Sequence, residues 1–230
     1  MTRHALYATP IPPKTSTYSP VSNRDILAEI EEELDKKNFS IKHEKYNIAR
    51  KGDQVIGTLG IANDQDPEIG FQLAFRNSYD KSMAVGFAAG NIVWICSNGL
   101  IAGDIVYMRK HTGSVVEELN GRISMAINQL GSHYEKIARQ AEQMKNIEIS
   151  KTDAAELCGR MFIEEDIVKA TQLSIIKREM QEPTFDYHNP GSLWELYNHV
   201  THSLKESHAA NYMQQHIKLH NFVEKTYWLE

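Results

Sequence analysis

Seven consecutive residues, Arg76-Asn77-Ser78-Tyr79-Asp80-Lys81-Ser82, concentrate most of the chemistry that can be read from this chain. Arg76 and Lys81 supply positive charge for phosphate oxygens. Asn77, Ser78 and Ser82 supply hydrogen bonds that position them, and Tyr79, placed in a turn, offers an exposed face on which a base can stack. Asp80 makes the same stretch readable as an Asx-type turn with a purely architectural role. Asn98, in an Asn-Gly pair, and Arg109-Lys110, followed by His111, extend the set of candidates. In an up-and-down sheet the turns at 77–81 and 98–99 fall at one end. The exit at Arg109–His111 then falls at the other end from Asn98-Gly99, so these groups need not form one patch.

Other chemistries are weakly signalled. Asp80 and Asp104 could form a carboxylate pair for acid–base work, but nothing in their spacing brings them together. Of ten histidines, His199 and His202 are three apart and His216 and His220 four apart, so each pair can share a helical face. Neither pair comes with the glutamate or third ligand of a zinc site, and they read as surface or capping residues. No nucleophile elbow, Walker A loop or dinucleotide fingerprint is present. The expectation is a protein without catalytic residues, cofactor or metal.

The elements that must position these residues follow from periodicity. Residues 1–21, with Pro10, Pro12, Pro13 and Pro20, read as an extended arm, either free or docked on a neighbouring subunit. Ser22 with Asp25 reads as a capping box opening a helix, with Ile26, Leu27, Ile30 and Leu34 on one face and Glu29, Glu31, Glu32 and Glu33 solvated on the other. Ile41–Arg50 and Gln54–Ile61 read as strands around a Lys51-Gly52-Asp53 turn, the first an edge strand. Asn63–Pro67 is a polar loop.

A β-meander follows. In Gly70–Arg76 and Ser82–Ala89, large residues (Phe71, Leu73, Phe75; Met83, Val85, Phe87) take one face. Ala84, Gly86 and Ala88 take the other, where a helix can approach closely. Gly90-Asn91 reads as a turn, Ile92–Cys96 as a buried central strand carrying Trp94 and Cys96, and Asn98-Gly99 as a two-residue hairpin turn. One helix from about Thr112 to Asn146, some ~50 Å long, crosses the sheet and projects past it. Its stripe of Val116, Ile123, Leu130, Ile137 and Met144 is shared between its own core and a neighbour, which predicts a homo-oligomer. Gly121 and Gly131 weaken it but allow close packing on the sheet. Ser150 and Asp153 open a helical C-terminal region.

The fold expected is α+β: an antiparallel β-meander flanked by an N-terminal helix and a long crossing helix, with a helical C-terminal region. The division is an arm over 1–21, a core over 22–148 and helices over 149–230. With 230 residues, 41% hydrophobic and 24% charged, the chain has enough apolar material for a core. Its net charge of -5 means that nucleic acid would have to be met by a local patch. Two cysteines and no CxxC fit a cytoplasmic setting, and no apolar leader or membrane span is visible.

Several of these motifs occur together in a known pattern. Asn77-Ser78-Tyr79-Asp80-Lys81-Ser82, then Cys96-Ser97-Asn98-Gly99-Leu100, then Trp194-Glu195-Leu196-Tyr197-Asn198-His199-Val200-Thr201 resembles the phage/plasmid-like family known as domain of unknown function 932. Tyr79, Lys81 and His202 stand where that pattern has His, Gly and Glu. The resemblance implies a phage or plasmid origin and supplies no activity. Architecturally, a helix, a meander and a long crossing helix is similar to the core of single-strand annealing recombinases. The expected function is therefore a self-associating, non-enzymatic protein that binds single-stranded DNA in the host cytoplasm. One alternative is a factor that binds a host protein. Another is a metal-dependent nuclease or hydrolase using Asp80 or Asp104.

Overall fold

A computed structural model describes residues 2–62, 69–93, 98–100, 106–187, 189–208 and 211–229. The arm is docked on its own chain. It contains a short helix, α1 (Arg3–Tyr7), whose Leu6 is buried in the core. Arg3 pairs with Glu31 and Glu44, and Tyr18, Ser19 and Val21 are buried. The prolines do enforce extended backbone between α1 and α2, but apolar residues spaced among them give the segment something to bury.

Ser22 caps α2 (Asn23–Asp35) by accepting the Asp25 N–H at 3.3 Å. Ile26, Leu27, Ile30 and Leu34 are all buried, each contributing ~1.5–3 kcal/mol. The acidic face is not wholly solvated. Glu33 is buried, accepts from Ser124 Oγ at 2.7 Å and pairs with Lys36 at 2.6 Å. These contacts hold its carboxyl below its ordinary pKa.

Strands β1 (Ile41–Ala49), β2 (Gln54–Ile61), β3 (Ile69–Ser78) and β4 (Val85–Val93) form an antiparallel meander with β1 exposed at the edge. Beyond β4 the pattern differs from expectation. β5 (Asn98–Leu100) pairs with Asn91–Val93 of β4, and β6 (Val106–Arg109) pairs with Val85–Ala88 of the same strand. Gly90 and Asn91 are therefore not a turn; they lie inside β4, opposite Gln72 and Phe71. Asn98 and Gly99 are likewise strand residues, opposite Val93 and Ile92. Local turn propensity gave way to continuous cross-strand pairing in both places. Trp94, Cys96, Asp104 and the Asn63–Pro67 loop lie outside the described residues.

The two faces of the sheet carry different side chains, as a period of two requires. Phe71, Leu73, Phe75, Val85 and Phe87 face a core built with α2 and α3 (Val115–Asn128). Gly57 faces the same way and lies opposite Phe75, whose ring occupies the space a Cβ would need, 2.1 Å away. Ala74 and Ala88 face the other way and pack on Met213 and Ile217 of α8 (Tyr212–Tyr227), so a helix does cover the small-residue face.

The long helix is two helices. Gln129, with φ −94° and ψ −1°, ends α3, and α4 (Leu130–Lys145) begins at the next residue. Ile123, Leu130, Ile137 and Met144 are each no more than 1% exposed within the single chain, and Val116 packs against the first core. The C-terminal helices cover the half of the stripe expected to project, while Val116 at its start is partly exposed. A Cβ at Gly121 or Gly131 would meet nothing within 4 Å, so neither glycine serves close packing.

A second core joins Ile137, Ala141 and Met144 of α4 to α5 (Lys151–Ile163), α6 (Ala170–Gln181), α7 (Leu193–Leu204) and α8. The Ser150–Asp153 capping box at α5 is present in both directions. Helix α7 is buried almost all round, with Trp194 and Tyr197 stacked at 6.3 Å. Tyr134 of α4 packs against both cores. No described helix is long and apolar enough to cross a membrane.

Candidate nucleic-acid interface

The turn from β3 to β4 is held by its own side chains. Ser78 Oγ accepts from the Met83 N–H at 3.0 Å and donates to the Met83 carbonyl at 2.9 Å, closing the loop. Asp80 Oδ1 accepts from the Ser82 N–H at 3.0 Å and from Ser82 Oγ, which is the Asx-type turn. Asp80 Oδ2 accepts from Arg50 at 3.1 Å and from Gln54 at 3.3 Å. Burial pushes the Asp80 pKa up, but the bonds from Ser82 and the Arg50 charge outweigh it and hold the carboxyl below its ordinary value.

Asn77 is 1% exposed and works inward. Its Nδ2 donates to the Val21 carbonyl at 2.7 Å and to Asn23 Oδ1 at 2.8 Å, while its Oδ1 lies 2.8 Å from His111 Nε2. Tyr79 is not an exposed stacking platform. It is buried, its hydroxyl accepts the Asn23 N–H at the start of α2 at 3.1 Å, and its own N–H donates to the Asp53 carbonyl at 2.7 Å. Burial raises its phenol pKa. Asn77, Ser78, Tyr79 and Asp80 therefore build the site rather than contact a ligand. The polar character of the stretch could not distinguish these roles, because most of the partners lie in the arm, α2, the β1–β2 turn and the β6 exit.

Among the cations, Arg76 is half-buried on the opposite face, its stem beside Gly86, and burial lowers its pKa. Arg109 is engaged by Glu118 in an ion pair. Pairing of Val85 with Arg109 brings the β6 exit alongside the 78–84 turn, while Asn98, opposite Val93, sits at the far end of β4. This reverses the expected arrangement: Lys81, Ser82 and Lys110 converge, and Asn98 is separated from them.

They line a groove of about 450 Å³ completed by Thr17, Tyr18, His111 and Thr112. Lys81 adopts a positive φ of 63° and carries its ammonium 4.7 Å over the Tyr18 ring. Tyr18 lies 5.6 Å from the His111 ring, and its hydroxyl donates to the Tyr79 carbonyl at 3.4 Å. Burial lowers the His111 pKa and raises that of Tyr18, so both are neutral at pH 7. Among the described residues no carboxylate lines the groove. The arrangement offers two ammonium groups and the Thr17 and Thr112 hydroxyls to an anionic ligand. Thr17 and Tyr18 were missed in the sequence because they belong to the arm; the run Thr15-Ser16-Thr17-Tyr18 between prolines was the available signal.

Of the histidines paired in the sequence, His199, His216 and His220 are buried. His220 Nε2 lies 3.0 Å from Gln140 Oε1 and Nδ1 3.3 Å from Tyr197 Oη, and His216 is fully buried beside Tyr212. His199 is buried 3.8 Å from Glu195, and His202 lies 3.9 Å from the buried Glu179. Among the described residues no group of three or more His, Cys, Asp or Glu side chains has the geometry to hold a metal ion.

Compared with known proteins, residues 14–222 match a family model described as Domain of unknown function (DUF932). No curated protein and no solved structure matches the chain.

Proposed function

The chain belongs to the domain of unknown function family DUF932, and from that premise we propose that it is a non-enzymatic mobile-element protein that binds single-stranded DNA. The observation that carries this reading is the groove between Lys81 and Lys110. It has two cations, the Thr17 and Thr112 hydroxyls and, among the described residues, no acidic residue in its lining. In a chain of net charge -5, such a patch concentrates positive charge locally where the global field is unfavourable. The lysines meet phosphates as point charges, and the hydroxyls hold the backbone in register. The single-strand preference is carried over from the likeness, read in the sequence, of a helix-flanked meander to the core of annealing recombinases.

The test is fluorescence anisotropy of a labelled ~30-nucleotide single strand at two salt concentrations, a length above the usual footprint of one binding module. Binding weakens with salt. Lys81→Asn with Lys110→Gln removes both charges, and Asn tolerates the left-handed backbone at position 81. With two phosphate contacts gone, the slope of log K against log salt becomes shallower by ~1.4. A flat titration, or an unchanged slope in the double variant, rejects the assignment.

A further inference from the structure

Helices α5 and α6 face each other across a second, apolar groove of about 740 Å³. Each contributes one helical stripe: Lys151, Ala155, Cys158 and Gly159 from α5, and Leu173, Ile176, Lys177 and Met180 from α6. The volume lies within the ~300–1,000 Å³ range of small-molecule sites. Three observations define what fits. The floor is apolar, and Cys158 there is a neutral thiol whose pKa burial pushes up to about 11. Among the described residues no carboxylate lines the groove. Lys151 and Lys177 line it with no ion pair to another described residue, although the chain as a whole is acidic.

We propose that this groove binds a small amphipathic acid, its alkyl chain lying between the two stripes and its carboxylate meeting the Lys151 and Lys177 ammoniums. An apolar chain gains by leaving water, and a carboxylate is the head group that two unpaired lysines favour. A cationic or zwitterionic head group would leave that charge unmet. The site lies on the C-terminal helices, shares no lining residue with the Lys81–Lys110 groove, and does not depend on DNA binding.

Gly159 provides a probe that leaves the fold intact. A Cβ there meets no atom within 4 Å, so a larger side chain enters the groove rather than the core. The experiment is titration calorimetry of the full chain with dodecanoate below its micellar concentration, with dodecyltrimethylammonium as the matched cation. Dodecanoate binds with one site per chain, and the cation binds at least tenfold more weakly. Gly159→Phe abolishes binding with the helical circular dichroism unchanged. Lys151→Gln with Lys177→Gln, which keeps the groove open, weakens it roughly tenfold. Gly159→Ala serves as the folded control and retains binding. Absence of dodecanoate binding, equal affinity for the two head groups, or binding indifferent to the lysine pair overturns the proposal.

Discussion

Asn77 Oδ1 and His111 Nε2 lie 2.8 Å apart in the interior, joining the end of β3 to the exit of β6 across 34 residues. The amide orientation is set by its other bonds, because Nδ2 donates to the Val21 carbonyl and to Asn23 Oδ1. Oδ1 is then an acceptor, and His111 must present Nε2–H to it. One side chain thus ties the arm, the α2 cap, the hairpin and the loop carrying Lys110. Asn77→Ala strands three buried polar groups at once and is expected to lower stability by ~3 kcal/mol or more in urea unfolding.

Tyr79 separates architecture from ligand contact. Tyr79→Phe keeps the ring and removes only the hydroxyl that accepts the Asn23 N–H. The orphaned amide at the α2 N-terminus costs ~1–2 kcal/mol, read as a lower urea midpoint, with affinity for single-stranded DNA unchanged. An exposed stacking residue would show no stability change at all.

Two glycines give opposite results for the same substitution. Gly57→Ala forces a methyl to within 2.1 Å of the Phe75 ring in the centre of the sheet, which overpacks the core by ~1–3 kcal/mol or prevents folding. Gly121→Ala, in the α3 interior with open space around it, gains ~1 kcal/mol of helix propensity. Thermal denaturation of the two variants beside the parent shows one melting point falling and the other rising.

The contrast between these glycines shows what the sequence could carry. Alternation placed Phe71, Leu73 and Phe75 on the buried face, and the small residues on a face a helix covers, because strand periodicity is local. The capping serine and aspartate at 150 and 153 were legible for the same reason. Gly90-Asn91 and Asn98-Gly99 carried strong turn signals, but pairing with β3 and β4 overrode them. The candidate site was half legible: Lys81, Ser82 and Lys110 were identifiable by type. Their adjacency to Tyr18, and the inward role of Asn77 and Tyr79, depend on contacts 26 to 63 residues away in sequence, which no local pattern encodes.

Buried histidines set the response to acid. Burial lowers the pKa of His111 and His202, and lowers that of His199 despite the opposing carboxylates of Glu195 and Glu179. In the unfolded chain the same groups titrate near ~6.5. Just below that pH the unfolded state binds protons that the folded state refuses, so stability rises with pH there and levels off above it. Asp80 and Glu179 act with the same sign, since their folded pKa values also lie low, but only near and below the ordinary carboxylate range. Urea midpoints at pH 7.5, 6.0 and 5.0 therefore report chiefly the histidines, opposed only toward pH 5.0 by Glu29, whose pKa burial raises, and the midpoint should fall across the last two. His111→Gln can still donate to Asn77 from its amide but cannot take up a proton, so its midpoint should fall less steeply over the same interval. A midpoint that stays level or climbs on acidification would mean that these imidazoles are protonated in place. The bond from His111 to Asn77 would then join a charged ring, not a neutral one, to the interior.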